Sequence, residues 1–307
     1  MEKVIVVIGP TSVGKTKMGV ALAKKFNGEV ISGDSMQIYK QMDIGTAKVT
    51  EEEKEGIIHH CVDILNPDET YNVHDFQQTV RKKITEITQR GHVPIIVGGT
   101  GLYIKAALYD YQFDEMENDH HAINEKYKDY TNEQLHDHLK SIDEESAKIL
   151  HFNNRRRVLR AIEIYETTGK RKSEMLEEQE HICLYDAYFV GLTLPRDVLY
   201  ERINKRVDVM MENGLKEEMD CLYSQGLTRN HQSMKAIGYK EWFDYYDHQI
   251  DLNDVLELIK KHSRQYAKRQ YTWFKNQFDV HWYDVNLENF EQTIEQVTDD
   301  IEKILKV

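Results

Sequence analysis

Eight residues near the start of the chain, Gly9-Pro10-Thr11-Ser12-Val13-Gly14-Lys15-Thr16, match the pattern Gly-x-x-x-x-Gly-Lys-Thr. Glycines at those places let successive backbone N–H groups close around phosphate oxygens, the lysine brings a mobile positive charge, and the threonine hydroxyl can reach a magnesium ion. A helix opening at Lys15 would add its positive dipole end. The chemistry this predicts is capture of a diphosphate by Gly9, Thr11, Ser12, Val13, Gly14, Lys15 and Thr16. The bland alternative is a glycine turn carrying a surface lysine.

A second cluster, Gly98-Gly99-Thr100-Gly101, could present free N–H groups and one hydroxyl to an anion or a polar substrate edge, or could be a plain tight turn. Asp34, in the run Asp34-Ser35-Met36-Gln37, is a candidate general base or magnesium contact, with a helix N-cap as the alternative. Arg202 and Arg206 stand four apart and share one helical face, so they could close on a diphosphate from the side opposite the glycine loop, or could be solvated. Arg156 and Arg160 form a second such pair, opposite an apolar stripe of Val158, Ile162 and Tyr165. Lys261, Arg264 and Lys268 make a third, with Tyr266, Tyr271, Trp273 and Phe274 interleaved. Basic stripes with aromatics suit a nucleic-acid backbone with unstacked bases, although each stripe alone is also what a solvated helix over core aromatics looks like.

Positioning these residues requires a particular set of elements. Val4–Ile8 reads as a buried strand running into the glycine loop, followed by a helix over Lys15–Phe26. Glu29–Ser32 and Val93–Val97 read as further strands, with a helix over Val73–Arg90 between them. Strand and helix in alternation imply a parallel sheet with helices on both faces, and ligands in such sheets sit beyond the carboxyl ends of the strands. The glycine loop, Asp34 and Gly98–Gly101 all fall at such ends and should meet in one crevice. Residues 112–183 change character and read as helices only, with capping boxes at Thr131–Gln134 and Ser141–Glu144 and a helix from near Asn154 that stops at Gly169. The strand pattern returns over Cys183–Leu194. The expectation is a P-loop NTPase-like α/β core over 1–111 and 184–307, with an all-helical insertion over 112–183 for nucleic-acid binding. Helices are also expected over Leu199–Asn213, over Asp254–Asn276 and after Asn286.

The bulk properties narrow the class. The 307 residues, 40% hydrophobic and 30% charged, suit a globular chain with ample core. No run approaches a membrane span, Met1-Glu2-Lys3 leads straight into a strand, and Cys61, Cys183 and Cys221 fit neither a disulfide framework nor a zinc pattern, so a reducing cytoplasm is expected. The fourteen histidines, including the adjacent pairs His59-His60 and His120-His121, give no metal site. The net charge of −13 argues against a nucleic-acid partner until its distribution is considered. Residues 155–172 carry seven basic against two acidic residues, and residues 260–275 carry six basic and none acidic, whereas residues 110–147 hold twelve acidic and three basic. Such segregation can confine a polyanion to one face. No apolar strand ends in the aspartate that a hydrolysing ATPase or GTPase uses for magnesium, since Ile95-Ile96-Val97 runs into Gly98.

Taken together, Gly-Pro-Thr-x-x-Gly-Lys-Thr (9–16), Ile-Ser-Gly-Asp-Ser-Met-Gln-Ile-Tyr (31–39), Met-Asp-Ile-Gly-Thr-Ala-Lys (42–48), Gly-Gly-Thr-Gly-Leu-Tyr (98–103), Ala-Ile-Gly-Tyr-Lys-Glu (236–241) and Tyr-Ala-Lys-Arg-Gln-x-Thr-Trp-Phe (266–274) resemble bacterial tRNA dimethylallyltransferases, also called tRNA isopentenyltransferases. The resemblance runs from residue 4 to about 275, in order. It implies that the glycine loop holds the diphosphate of dimethylallyl diphosphate, with Mg²⁺ at Thr16, and that the acceptor is the exocyclic amine of adenine 37 in the anticodon stem-loop of tRNAs reading codons that start with U. It implies Asp34 as the base, Thr100 as a holder of the base or the diphosphate, and Arg206 as the diphosphate-binding arginine. It further implies that Asp34, Ser35, Met36, Gln37, Thr100, Arg156, Arg157, Arg160, Lys235, Lys240, Lys268, Arg269 and Lys275 contact tRNA. No obligate protein partner is implied. The chain departs from the family in having Ser12-Val13 where Ala-Ser is frequent, and Gly33 where Ala is usual. Rival readings are a P-loop kinase of a small metabolite, an RNA-binding GTPase module, which would need an Asn-Lys-x-Asp motif that the chain lacks, and a prenyltransferase acting on free adenine nucleotides.

Overall fold

The computed structural model describes residues 1–111, 120–177 and 181–305. Among them are six strands, β1 (Lys3–Ile8), β2 (Gly28–Ser32), β3 (His59–His60), β4 (Val93–Val97), β5 (Asp186–Thr193) and β6 (His281–Asp284). They form one sheet in the order β3-β2-β4-β1-β5-β6, and every pairing is parallel. From β1 the chain moves outward to β2 and β3, returns through β4, and crosses to β5 and β6 on the other side, so the strand order switches at β1, where the glycine loop begins. Central parallel strands are covered on both faces, and the unbroken β-branched run of β1 fits that demand. Its alternate residues divide between two cores: Val4, Val6 and Ile8 face one way and Ile5 and Val7 the other.

Helices α1 (Lys15–Lys25), α2 (Glu51–Lys54), α3 (Val73–Gln89) and α4 (Gly101–Leu108) precede an all-helical stretch. That stretch holds α5 (His120–Lys126), α6 (Asn132–Ile142), α7 (Glu144–Ile149), α8 (Arg155–Thr168) and α9 (Lys172–Glu177). After β5 come α10 (Arg196–Glu212), α11 (Leu215–Ser224), α12 (Trp242–Tyr246), α13 (Leu252–Gln277) and, beyond β6, α14 (Phe290–Leu305). Met18 and Leu22 of α1, Ile203 of α10 and Val297 of α14 cover one sheet face, while Phe76 of α3, Leu108 of α4, Trp242 of α12 and Phe274 of α13 belong to the other core. The expected α/β architecture with helices on both faces is therefore present.

The chain divides into two compact units, Met1–Tyr109 with Cys183–Val307, and Asp110–Ile182. The boundary differs from the expected 112 and 183 because Tyr109 and Cys183 bridge each other and the Leu184 N–H donates to the Leu108 carbonyl, which ties Cys183 to the sheet-containing unit. Residues 112–119 and 178–180 of the expected insertion lie outside the described residues. The helical unit has its own core, including Leu135, Leu139, Val158 and Ile162. Its Thr131–Gln134 capping box is formed, but Ser141–Glu144 is not one: Asp143 caps α7 by accepting from the Ser146 N–H, and the Ser141 hydroxyl donates to the His138 carbonyl. α8 stops at Gly169, whose φ of +71° is left-handed.

Candidate active site

The glycine loop forms the turn from β1 into α1. Gly9 (φ +142°), Ser12 (φ +66°) and Gly14 (φ +103°) hold the positive φ values that bend the loop. Val13 is buried in the core between sheet and helix, so its side chain anchors the loop and only its backbone can face a phosphate. Lys15 Nζ donates to the Pro10 carbonyl at 2.8 Å, folding the side chain back over the loop. Burial, reinforced by repulsion from Arg206 and opposed by Asp34, pulls the Lys15 ammonium down to about 7.

Two arginines of α10, Arg202 and Arg206, reach this loop directly. Arg206 donates to the Thr11 hydroxyl at 3.1 Å, and Arg202 donates to the Ser12 carbonyl at 3.0 Å. They part there, for Arg206 is half-buried and lines the cavity described below while Arg202 is exposed. Burial also pulls Arg206 below its ordinary value, against the attraction of Asp34.

The ends of β2 and β4 touch backbone to backbone. A Cβ on Gly98 would lie 2.3 Å from the Gly33 carbonyl, so only glycine fits. This contact brings Asp34 and Thr100 together. The Thr100 hydroxyl accepts from the Ser35 N–H at 3.0 Å and lies 3.3 Å from the Ser35 hydroxyl, and the Thr100 N–H donates to the Gly33 carbonyl at 3.1 Å. Asp34 Oδ1 accepts from the Met36 N–H at 2.9 Å, a local turn that fixes the carboxylate.

Thr11, Ser12, Asp34, Ser35, Met36 and Arg206 line a cavity of about 350 Å³ together with Gly45, Thr46, Lys235, Lys240, Tyr266 and Arg269. Tyr266 donates to the Gly99 carbonyl, and burial, with Asp34 adding to it, pushes its hydroxyl up to about 12, so it stays a neutral donor. Thr16 and Gln37 instead line a smaller void of about 20 Å³ with Ser32 and His59, and Gln37 accepts from the Ser32 hydroxyl. Among the described residues no group of three or more His, Cys, Asp or Glu could hold a metal ion. The donor set that remains, one threonine hydroxyl beside a phosphate cradle, suits Mg²⁺ only as an ion shared with substrate phosphate oxygens.

The basic residues divide. Lys235, Lys240, Lys268, Arg269 and Lys275 are exposed in the sheet-containing unit, and Arg156 and Arg157 are exposed on α8 of the helical unit. Arg160 is engaged, donating to Glu163 at 2.8 Å. Lys260 pairs with Asp208 at 2.8 Å and Arg264 bonds Asn204, so these two fasten α13 to α10 and do not extend the basic stripe. Phe274 is fully buried and Trp273 packs on Gly101, which leaves Tyr271 as the more exposed aromatic of that run.

Sequence reading did not find Glu218 or Gln270. Glu218 of α11 accepts from three consecutive N–H groups, those of Asp43, Ile44 and Gly45, at 2.7 to 3.0 Å, and from the Tyr239 hydroxyl at 2.6 Å. It joins two segments of the cavity wall. Gln270 bridges the two glycine loops. The partners of both are backbone groups far away in the chain, and side-chain spacing carries no trace of them.

Fold and site together define a parallel α/β protein whose glycine loop opens onto a cavity lined by polar and apolar side chains, with a separate helical unit inserted. A family model described as IPP transferase matches residues 37–277. Curated tRNA dimethylallyltransferases of Bacillus cereus (strain AH187) and Bacillus anthracis are each 54% identical over 287 residues, 92% of this chain and 90% or 91% of theirs. The solved tRNA isopentenylpyrophosphate transferase of Staphylococcus epidermidis is similar at 47% identity with a TM-score of 0.74, covering 99% of both chains. A solved eukaryotic dimethylallyltransferase acting on tRNA is similar at 33% identity with a TM-score of 0.86, covering 99% of this chain and 79% of that one. The chain belongs to the IPP transferase family, and it is a transferase.

Proposed function

We propose that the protein transfers a dimethylallyl group from dimethylallyl diphosphate to N6 of adenine 37 in the anticodon stem-loop of tRNAs reading codons that start with U, releasing diphosphate. The observation that carries this reading is that a carboxylate, Asp34, and a phosphate-loop clamp, Thr11 with Arg206, line one cavity of about 350 Å³. The relatives are named for the same transfer and the solved eukaryotic neighbour for acting on tRNA.

Adenine's exocyclic amine is a weak nucleophile, because its lone pair is delocalised into the ring. As N6 bonds to C1 of the dimethylallyl group, the C1–O bond to diphosphate breaks and the proton leaving N6 passes to the Asp34 carboxylate. Loop amides, Lys15 and Arg206 meet the charge that the departing diphosphate gains. Thr16 would hold Mg²⁺ together with diphosphate oxygens, and the ion, when bound, neutralises part of that charge. Thr100 holds Ser35 and the Asp34 turn in place. An adenine inside a loop must leave its stack to enter the cavity, at a cost of a few kcal/mol. Exposed Lys235, Lys240, Lys268, Arg269 and Lys275, with Met36 beside Asp34 in the cavity lining and exposed Arg156 and Arg157 in the helical unit, grip the RNA and offset that cost. The free state of Cys61, Cys183 and Cys221 agrees with a cytoplasmic setting, and no helix among the described residues is long and apolar enough to cross a membrane.

The test is incubation with labelled dimethylallyl diphosphate and, in turn, unmodified tRNA, AMP or no acceptor, with ATP hydrolysis followed in parallel. Label in tRNA alone is expected. Label in AMP, or ATP turnover without transfer, would overturn the reading in favour of a nucleotide prenyltransferase or a kinase.

A further inference from the structure

Gln270 is almost fully buried, 5% exposed, on the inner face of α13, one residue from the exposed Arg269 and two from the exposed Lys268. Its Oε1 accepts the Thr11 N–H at 3.0 Å and its Nε2 donates to the Gly99 carbonyl at 3.0 Å. One amide thus spans the phosphate loop and the loop that carries Thr100. The fit is close on both sides, for a Cβ on Gly99 would lie 2.2 Å from Nε2 and a Cβ on Gly101 the same distance from Trp273, one turn along the helix. Tyr266, one turn earlier, reaches the same Gly99 carbonyl at 3.3 Å. A group placed between a backbone donor and a backbone acceptor has to be donor and acceptor at once, which a side-chain amide is and a carboxylate, ammonium or thioether is not.

We propose that Gln270 is a positioning residue for the transfer reaction: it sets the separation between the phosphate loop and the Gly98–Gly101 loop, and so the distance from the diphosphate to the acceptor base. This rests on the proposed transfer to adenine. Without the amide, the Thr11 N–H loses its buried partner and the Gly99 carbonyl keeps only Tyr266, so the bridge between the two loops is gone and the cradle opens under the leaving group.

A protonated carboxylic acid can replace the amide, its O–H donating to Gly99 and its C=O accepting from Thr11, whereas the carboxylate repels the Gly99 carbonyl. The experiment compares wild type, Gln270→Glu and Gln270→Met in steady-state transfer from pH 5.5 to 8.5, with the Kd for inorganic diphosphate measured on the same samples. At the alkaline end both variants are expected to lose about tenfold or more in kcat/KM for dimethylallyl diphosphate, the effect of one lost buried hydrogen-bond pair, while KM for tRNA stays within about twofold. As pH falls, the Gln270→Glu variant, taken as a ratio to wild type at each pH, regains activity and diphosphate affinity, and the Gln270→Met variant does not. Parallel pH ratios for the two variants, or a tRNA KM that moves as far as the donor term, would overturn the inference. Should Gln270→Met not fold, the pH ratio of Gln270→Glu decides alone, since a flat ratio sinks the proposal. Wild type that binds diphosphate but labels no tRNA sinks the proposed transfer instead, and the pH ratio of the diphosphate Kd still decides the role of Gln270.

Discussion

Lys15 sits in the glycine loop, held by the Pro10 carbonyl and facing the charge of Arg206. Burial and Arg206 bring its ammonium to about 7, so a free protein at pH 8 holds it mostly neutral. A bound diphosphate favours the charged form and raises that value again, so binding should take up a proton above pH 7, and affinity should decline as pH rises through that window. Calorimetry in buffers of different ionisation heat is expected to show the uptake in wild type and to lose it in Lys15→Met, which also reports the diphosphate's own share. A neutral binding reaction in wild type would contradict the assignment. Asp34 is tested by a split in the kinetics. Asp34→Ala is expected to lower kcat by roughly 10² to 10⁴, the range for a positioned proton acceptor, with tRNA Kd little changed. Transfer near the wild-type rate would remove Asp34 as the base.

The longest helix, α13, serves two surfaces at once. Tyr266, Gln270 and Phe274 face inward, Lys260 and Arg264 fasten it to α10, and Lys261, Lys268, Arg269 and Lys275 stay in solvent. Of the six basic residues between 260 and 275, the exposed ones are those available to phosphates. Lys268→Ala is therefore expected to weaken tRNA binding and reduce the slope of log K against log salt by about 1, whereas Lys260→Ala should act on stability and leave the slope alone. Equal slopes for wild type and Lys268→Ala would take that face out of the RNA contact. Elements of this kind were legible in outline. The apolar run of β1 and the cap of α6 declare themselves through spacing. β6 does not, because His281-Trp282-Tyr283-Asp284 has no apolar alternation; it becomes a strand by pairing with Val190–Thr193 of β5, where Gly191 makes room for Trp282. β3, two residues long, exists only through its pairing with Val30 and Ile31. The candidate site divides the same way: Lys15, Asp34 and Arg206 stand out by type and place, and Glu218 and Gln270 stayed hidden because their partners are main-chain atoms.

Stability belongs to the whole molecule, and one buried carboxylate far from the cavity bears on it. Glu29 of β2 is 2% exposed and takes Arg90, at the end of α3, at 2.7 Å, His60 of β3 at 2.6 Å and His92, just before β4, at 2.9 Å. Burial would raise its carboxyl, but the hydrogen bonds from Arg90 and His60 overcome that and hold it at about 2. Its folded value lies below its unfolded one, so the contribution is complete above about 4.5 and is lost as pH falls towards 2. Glu29→Gln is expected to lower unfolding stability by about 2 kcal/mol at pH 7 and by much less near pH 3, read from denaturant midpoints. A loss that is the same at both values would mean that Glu29 matters for its shape and not its charge. Charge is also sorted across the whole molecule, with net −13 overall and its basic stretches at 155–172 and 260–275.

The contact between Gly33 and Gly98 bears on how the site responds to heat and to mutation. Side chains hop between rotamers, and a distance set by them blurs as temperature rises. Here two main chains meet directly, and any Cβ on Gly98 would fall 2.3 Å from the opposing carbonyl. The interval between Asp34 and Thr100 is thus fixed by the pitch of a sheet, a dimension common to all sheets. Neither glycine carries a side chain through which that contact could be tuned, so variation in this protein must alter what lines the cavity and not the spacing of the two strand ends.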